Sequence, residues 1–404
     1  MRDIHILGAG LSGLAAATIL AKAGKKVHVH EVLVDSGARF DGDFQGLENW
    51  TSEIDFFDEM ESWGLNPNEF KSDEFSIVDL AHPDDVITNP ITKGIAFRVV
   101  ERGTDSHCID QGLKRMALES GVEIHYKSKK NPSDCDIIAA GPKNSSAVAF
   151  GEIFHTTHEN HVTFQLNDKL APGAYSYMII IDGIGLICTC LWRKQRKTSR
   201  YLNETIAWYE KFYELNRKPI KRVGGKGDFG LPSKYRHEGK YYVGEAGGLQ
   251  DFMWGFGMRY AITSGVYAAK DILGECDYEK EIRKRLVPLV KSSVINRFLM
   301  NRMGDRGFKI IANYWMKNQT KTGDGLRFMK RLYSPGVIRK LIWPIAKFSM
   351  LRKIKVDDGR TIQRMPFRKS LKRDDWTPSS RAVEIGEEWK NIRKAGGKVS
   401  FIDD

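Results

Sequence analysis

The sequence predicts an α/β fold in three parts: a discontinuous dinucleotide-binding domain, an antiparallel-sheet domain threaded through it, and a C-terminal helical region. Three observations predict it. Residues 4–31 read strand, glycine turn, helix, strand; residues 178–190 read as two apolar strands around an Asp-Gly turn; beyond Tyr278 the pattern turns helical and basic. At 404 residues the chain exceeds what one core comfortably supports, so two or three packed units are expected. A content of 41% hydrophobic and 28% charged residues argues against long disorder.

The chain opens IHILGAGLSGLAAATILAKAGKKVHVHE. Ile4–Leu7 is a strand, Leu14–Lys22 an alanine-rich helix stopped by Gly24, and Val27–His30 a second strand ending at Glu31. Between them Gly8, Gly10 and Gly13 form G-x-G-x-x-G, which makes the unit Rossmann-like. Gly8 permits the tight turn, Gly10 lets a pyrophosphate approach the backbone, and Gly13 allows close helix–strand contact. Leu11 and Ser12 complete the loop, and the helix N-terminus offers free N–H groups to phosphates. Glu31 lies 18 residues past Gly13, where a carboxylate accepts hydrogen bonds from ribose hydroxyls. The motif alone does not separate FAD from NAD.

A second glycine-rich stretch, GEAGGLQDFMWGFGMRYAITSG (244–265), follows the short strand YYVGE. Phe252, Met253, Trp254 and Phe256 thread its glycines, although exposed turns gain nothing from large apolar side chains. From Met258, Ala261, Ser264, Gly265 and Ala268 recur at helical spacing and give a face for tight packing. This stretch resembles the second FAD motif of the p-hydroxybenzoate-hydroxylase-like flavoproteins, and within that superfamily residues 1–275 most resemble the geranylgeranyl reductase family. RVVERGTDSHCIDQGLKRMALESGVEIHY (98–126), SDCDIIAAGPKNSS (133–146) and APGAYSYMIIIDGIGLI (171–187) extend the likeness.

The resemblance implies FAD as cofactor. It implies Gly244 and Glu245 beside the ribityl chain, with Glu245 standing where Asp is usual. It places Gly255, Gly257 and Met258 nearest the flavin, Arg102 and Arg39 approaching the cofactor, and Ala140 and Gly141 closing around it. A helix N-terminus at Met258 would favour the anionic reduced flavin. Tyr175, Tyr177, Phe252, Trp254 and Phe256 are expected in the substrate pocket. The family departures are an absent acid in Gly141-Pro142-Lys143-Asn144, Gly248 at a usual His, and no Trp-x-Trp-x-Ile-Pro. They weigh against hydroxylase and halogenase readings and leave the electron donor open among NADPH, a ferredoxin and a quinone-linked carrier, the ferredoxin implying a redox partner protein.

The expected domains are 1–45, 95–150 and 238–275 for FAD, 46–94 and 151–237 for the substrate sheet, and 276–404 for the basic helical region. The hairpin signal Met178–Ile181, Asp182-Gly183, Ile184–Cys190 suggests a sheet roofing the flavin and an apolar chamber; a ligand-free core sheet is the plain alternative. HTTHENH (His155, His158, His161) reads as a solvated turn rather than a metal site. Trp50, Trp63, Trp192 and Trp208 read as core residues that could also line a lipid pocket. Five cysteines form no CxxC pair, which fits packing in a reducing cytosol.

Residues 281–370 hold 23 Lys+Arg against 5 Asp+Glu, a surplus that exceeds the chain's net +12. RLYSPGVIRKLIWPIAKFSMLRKIKV (331–356) mixes apolar and cationic residues, with Pro335 and Pro344 expected to break it into short helices and Trp343 and Tyr333 suited to a headgroup zone. An interfacial membrane anchor and a helical cap on the FAD domain both fit. No stretch of eighteen apolar residues occurs, and no nucleic-acid motif is found. The functional expectation is an FAD-dependent reductase of isoprenoid or similar lipid double bonds, cytoplasmic and peripheral on the inner membrane face. A flavin monooxygenase or oxidase of an aromatic or polyketide-like substrate, and a non-redox isoprenoid cyclase-like flavoprotein, are the alternatives.

Overall fold

A computed structural model describes residues 2–90, 95–322 and 325–366. Its central sheet has six strands in the order Arg236–His237, Lys240–Tyr242, Ile137–Ile138, Ile4–Leu7, Val27–His30 and Glu123–His125. All pairings are parallel except the first, a short hairpin. Three distant chain segments therefore build one sheet. Ile4, Ile6, Val27 and Val29 alternate onto one face, where they bury against Leu14, Ala17 and Val266.

The covering helices are Leu11–Lys22 and Met258–Ile272. They cross so closely that a Cβ on Gly265 would lie 2.1 Å from the Ser12 carbonyl oxygen. Ser264 Oγ accepts the Gly244 N–H at 2.8 Å, and Ala268 is fully buried. The small-residue face read in the sequence is thus a helix-crossing surface.

A second sheet has seven strands: Lys218–Gly227, Ala147–His155, Ile184–Leu191, Ser176–Ile181, His161–Gln165, Ile77–His82 and Asp85–Pro90. Ile181 pairs with Ile184 across a two-residue turn in which Asp182 and Gly183 both have positive φ (50° and 78°), as the Asp-Gly signal predicts. One face packs Phe150, Phe154, Met178 and Ile187 on helix Thr198–Phe212. The other carries Phe164, Tyr177 and Cys190 toward the cofactor domain. A three-stranded sheet (Asp43–Glu48, Phe97–Arg102, Ser72–Phe75) sits beside it, so the expected division at residue 45 falls within a strand.

Beyond Tyr278 the chain is helical through Tyr278–Arg285, Val287–Thr322 (interrupted by non-helical backbone at Gly304), Gly325–Tyr333 and Val337–Met350. Two expectations are corrected here. Pro335 separates two helices, but Pro344 lies inside the last one. Nor is the region wholly helical: Arg352–Lys355 and Thr361–Arg364 are strands that pair with each other, and the second also pairs with Gly230–Pro232. SSRAVEIGEEWKNIRKAGGKVSFIDD lies outside the described residues. Among the described residues, no helix is long and apolar enough to cross a membrane.

Candidate active site

The carboxyl ends of the central strands open into a cavity of about 810 Å³, the place where a parallel sheet of this type receives a dinucleotide. Of the residues expected at the cofactor, Gly8, Gly10, Leu11, Ser12, Glu31, Arg39, Arg102, Ala140, Gly141, Glu245, Gly255, Gly257 and Met258 line it. Gly8 makes the turn with φ 104°, and any Cβ there would lie 2.4 Å from the Ala139 carbonyl oxygen. Gly13 and Gly244 stand behind the wall: Gly13 is pressed on the Gly8 carbonyl oxygen, and Gly244 faces the Ser12 side chain. Both permit contact between elements instead of lining the cavity.

Two helix N-termini serve this space without side-chain caps or first-turn acids, at Gly10 and at Gly257. Unpaired N–H groups and the positive dipole end make each an anion site. At Gly10 a Cβ would meet no atom within 4 Å, so the backbone is open to a ligand there. Arg39, Lys129 and Lys130 add positive charge to the lining. Glu31 accepts the N–H of Ala9 at 2.8 Å and of Leu33 at 2.9 Å, bracing the turn from the next strand.

Arg102 is held by Asp110 through two bonds of 2.8 Å, while its third nitrogen reaches Gln45 Oε1 at 3.2 Å. Both members of the ion pair are buried. The pair and desolvation oppose each other at Arg102, and the carboxylate wins, raising the guanidinium above its ordinary value. Glu245 accepts the Asp228 N–H at 2.8 Å and lies 3.8 Å from Arg39. Burial pushes its carboxyl up to about 7, with Arg39 pulling the other way.

The remaining walls are aromatic. Tyr177 and Ile179 alternate onto one face of the strand Ser176–Ile181, with Tyr175 just before it, beside Phe164 and Cys190 from neighbouring strands and Trp192 just past the second of them. Trp254 and Phe256 come from the glycine loop. Trp254 packs edge-on to Tyr175 at 5.3 Å, and the Tyr175 hydroxyl donates to its carbonyl. Phe256 packs against Trp50, 4.9 Å between ring centres, and fills the space over Gly46.

Phe252 is a correction: it is fully buried away from the cavity, packed on Phe229, with its N–H bonded to Ser293. The loop turns it inward because Asp251, also buried, gathers the N–H groups of Met253 and Trp254 and the hydroxyl of Tyr333. Burial raises Asp251 to about 6. Asp110, Gln45, Asp251, Phe164 and Phe229 were missed. An acid amid apolar loop residues, and an acid eight residues past a buried arginine, were the available signals for Asp251 and Asp110. Trp192 lines the cavity as well; Trp63 and Trp208 do not. His161 pairs with Asp79 at 2.9 Å, and His158 bonds the Glu159 carbonyl, so the HTTHENH histidines have local partners.

This fold is that of the FAD-dependent flavoproteins, and the open Gly10 backbone, two uncapped helix N-termini and basic lining fit that cofactor. Among solved structures, the chain is similar to a geranylgeranyl bacteriochlorophyll reductase-like protein from Thermoplasma acidophilum, at 17% identity and a TM-score of 0.62 over 77% of this chain and 90% of that one. It is also similar to a flavin-dependent brominase (14%, TM-score 0.58, 86% and 98%) and to a probable FAD-dependent monooxygenase from Pseudomonas aeruginosa (12%, TM-score 0.52, 77% and 99%). No family model matches. Curated relatives match only short segments: hydroxysqualene dehydroxylases of Rhodopseudomonas palustris (55% over 38 residues) and Sinorhizobium fredii (44% over 50 residues). These segments span 9% and 12% of the relatives' own lengths.

Proposed function

We propose that the chain is an FAD-dependent reductase that saturates double bonds of an isoprenoid or related lipid taken from a membrane surface. The observation that carries this reading is the aromatic wall of Phe164, Tyr175, Tyr177, Trp192, Trp254 and Phe256 in the same cavity as the dinucleotide loop. An apolar chain gains there what a polar substrate would lose. Two neighbours' names, the geranylgeranyl bacteriochlorophyll reductase-like protein and the hydroxysqualene dehydroxylase, carry isoprenoids and are consistent with it.

FAD bound there, once reduced by an external donor, would supply a hydride for one carbon of the double bond, and a proton would go to the other. The residues would then have separable tasks. Gly8–Ser12 and the helix N-terminus at Gly10 would hold the phosphates, the N-terminus at Gly257 would face the flavin, Glu31 would take ribose hydroxyls, and Arg102, fixed by Asp110, holds position beside Gln45. The aromatic wall excludes water and fixes the chain, which matters because an isolated alkene is a poor hydride acceptor. Tyr177 and Cys190 line the cavity and carry exchangeable protons. Burial holds the Tyr177 phenol well above its ordinary value, so it keeps its proton at neutral pH.

Helix Val337–Met350 supports the membrane part of the reading. Val337, Ile338, Leu341, Ile345 and Phe348 fall on one stripe and are 60% to 85% exposed. Ala346 and Met350 are buried on the opposite side, while Lys340 and Lys347 flank the stripe. The two aromatics expected at the headgroups are corrected. Tyr333 is buried on Asp251, and Trp343 packs inward under Lys291. The apolar stripe, with Phe348 as its one aromatic, takes their place.

Because NADPH, a ferredoxin and a quinone-linked carrier are all candidate donors, the test bypasses them with dithionite. Anaerobically reduced protein mixed with a polyprenyl lipid should reoxidise its flavin and yield product heavier by two hydrogens per bond. A product that appears only with oxygen and carries an oxygen atom would establish the monooxygenase instead.

A further inference from the structure

Four of the chain's ten histidines meet on the sheet face away from the covering helices, and the cofactor cavity uses only one of them. His5, His28, His30 and His125 stack with ring centres 5.0 to 5.4 Å apart. The alternation that buries Ile4, Val27 and Val29 under the helices sends these side chains the other way. Parallel pairing places His28 opposite Glu123 and His30 opposite His125.

At the edge of this group three donor atoms converge. His28 Nδ1 lies 3.1 Å from His125 Nε2 and 3.1 Å from Glu123 Oε2, and the last two are 3.9 Å apart. Ligands bound at about 2.0–2.2 Å around a tetrahedral or octahedral ion sit roughly 3.0–3.4 Å from one another, so the triangle is close to one face of such a shell. The other nitrogen of His28 has its own partner: Nε2 lies 3.1 Å from Asp3 Oδ2, and Asp3 is in turn held by Lys26 at 3.0 Å. A carboxylate behind a ligating imidazole fixes its tautomer and leaves the opposite lone pair for a metal. With that tautomer His28 Nδ1 offers a lone pair; His125 Nε2, which shares a hydrogen bond with it, and the Glu123 oxygen lie close enough to join it around a cation when the His125 proton sits on Nδ1.

We infer that His28, Glu123 and His125 form a binding site for a divalent transition metal of the zinc class, with Asp3 as the positioning residue behind His28. Two imidazoles and one carboxylate suit zinc, cobalt or nickel in preference to magnesium or calcium. The ion would fasten the edge strand Glu123–His125 to Val27–His30. That strand also holds the loop after Glu31, through the Glu31 N–H to the His125 carbonyl (2.9 Å) and the Ser128 N–H to the Glu31 carbonyl (2.8 Å). The metal is therefore a clamp on the strand that carries Glu31, and its binding does not depend on which substrate the cavity takes.

The full-length protein, loaded with its flavin and freed of metal by a chelator, should take up one Zn²⁺ per chain in equilibrium dialysis and show a cobalt absorption spectrum with nitrogen ligands. His125→Ala and Glu123→Ala, both at the exposed sheet edge, should each weaken zinc at least about 10-fold, and Asp3→Asn by about 10-fold or more. The second grouping of potential ligands, Glu101, His107 and Cys108, provides a control: Cys108 is buried and its thiol is held protonated by burial. His107→Ala should leave zinc uptake unchanged. No saturable zinc binding, or binding that survives His125→Ala and Glu123→Ala, would overturn the assignment.

Discussion

Gly10 and Gly265 look alike in the sequence but sit in opposite surroundings, and this separates cofactor binding from folding at the level of single residues. A valine at Gly10 meets only the open cavity, since φ is −85° and no atom lies within 4 Å of its Cβ. Gly10→Val should fold with an unchanged circular dichroism spectrum and melt, yet purify without yellow colour. Full colour would contradict the placement of the pyrophosphate. The Arg102–Asp110 pair offers the converse case. Removing one member leaves a buried charge alone, so Asp110→Ala should cost about 3–5 kcal/mol in chemical denaturation. Glu245 makes a pH prediction. Its carboxyl titrates at about 7 in the folded chain against an ordinary 4.5, so the folded state holds the extra proton between those values. Stability of the flavin-free protein should fall as pH rises through that window, by at most about 3 kcal/mol. Glu245→Gln should flatten the slope and melt higher than wild type at pH 8. An identical slope in the variant would place the titration elsewhere.

At the scale of elements, legibility tracked locality. Ile4–Leu7, the glycine turn, Val27–His30 and the Asp-Gly hairpin are fixed by neighbours within a few residues, and all were readable from residue type and spacing. Helix Val337–Met350 was misread at Pro344 because the proline rule describes an isolated helix. Here Ala346 and Met350 are packed on the core and hold the turn in place. The strand Arg352–Lys355 went unread because its partner, Thr361–Arg364, lies beyond a Gly359 turn in a segment dominated by charge. The exposed stripe on the preceding helix carries its own prediction. Leu341→Glu with Phe348→Glu should abolish flotation with anionic liposomes. Lys340→Gln with Lys347→Gln should weaken it only where anionic lipid is present. Flotation of the double glutamate variant at the wild-type level would remove the stripe from any membrane role.

For the whole molecule, the cavity is assembled from segments far apart in the chain, and this limited what the sequence could say of it. The dinucleotide wall was legible because one motif holds most of it. The aromatic wall was legible only in part. Tyr175, Tyr177, Trp254 and Phe256 were found, but Phe164 reaches the cavity through strand register, and Phe252 leaves it because Asp251 draws the loop inward. The proposed function requires one cavity to hold FAD and an apolar chain side by side. Titrating the FAD-loaded protein with a polyprenyl lipid, while following the flavin absorbance, tests it most directly. A saturable spectral change is expected, which Trp254→Asp abolishes without loss of FAD. No change with the lipid, alongside a saturable change with a small aromatic acid, would contradict it.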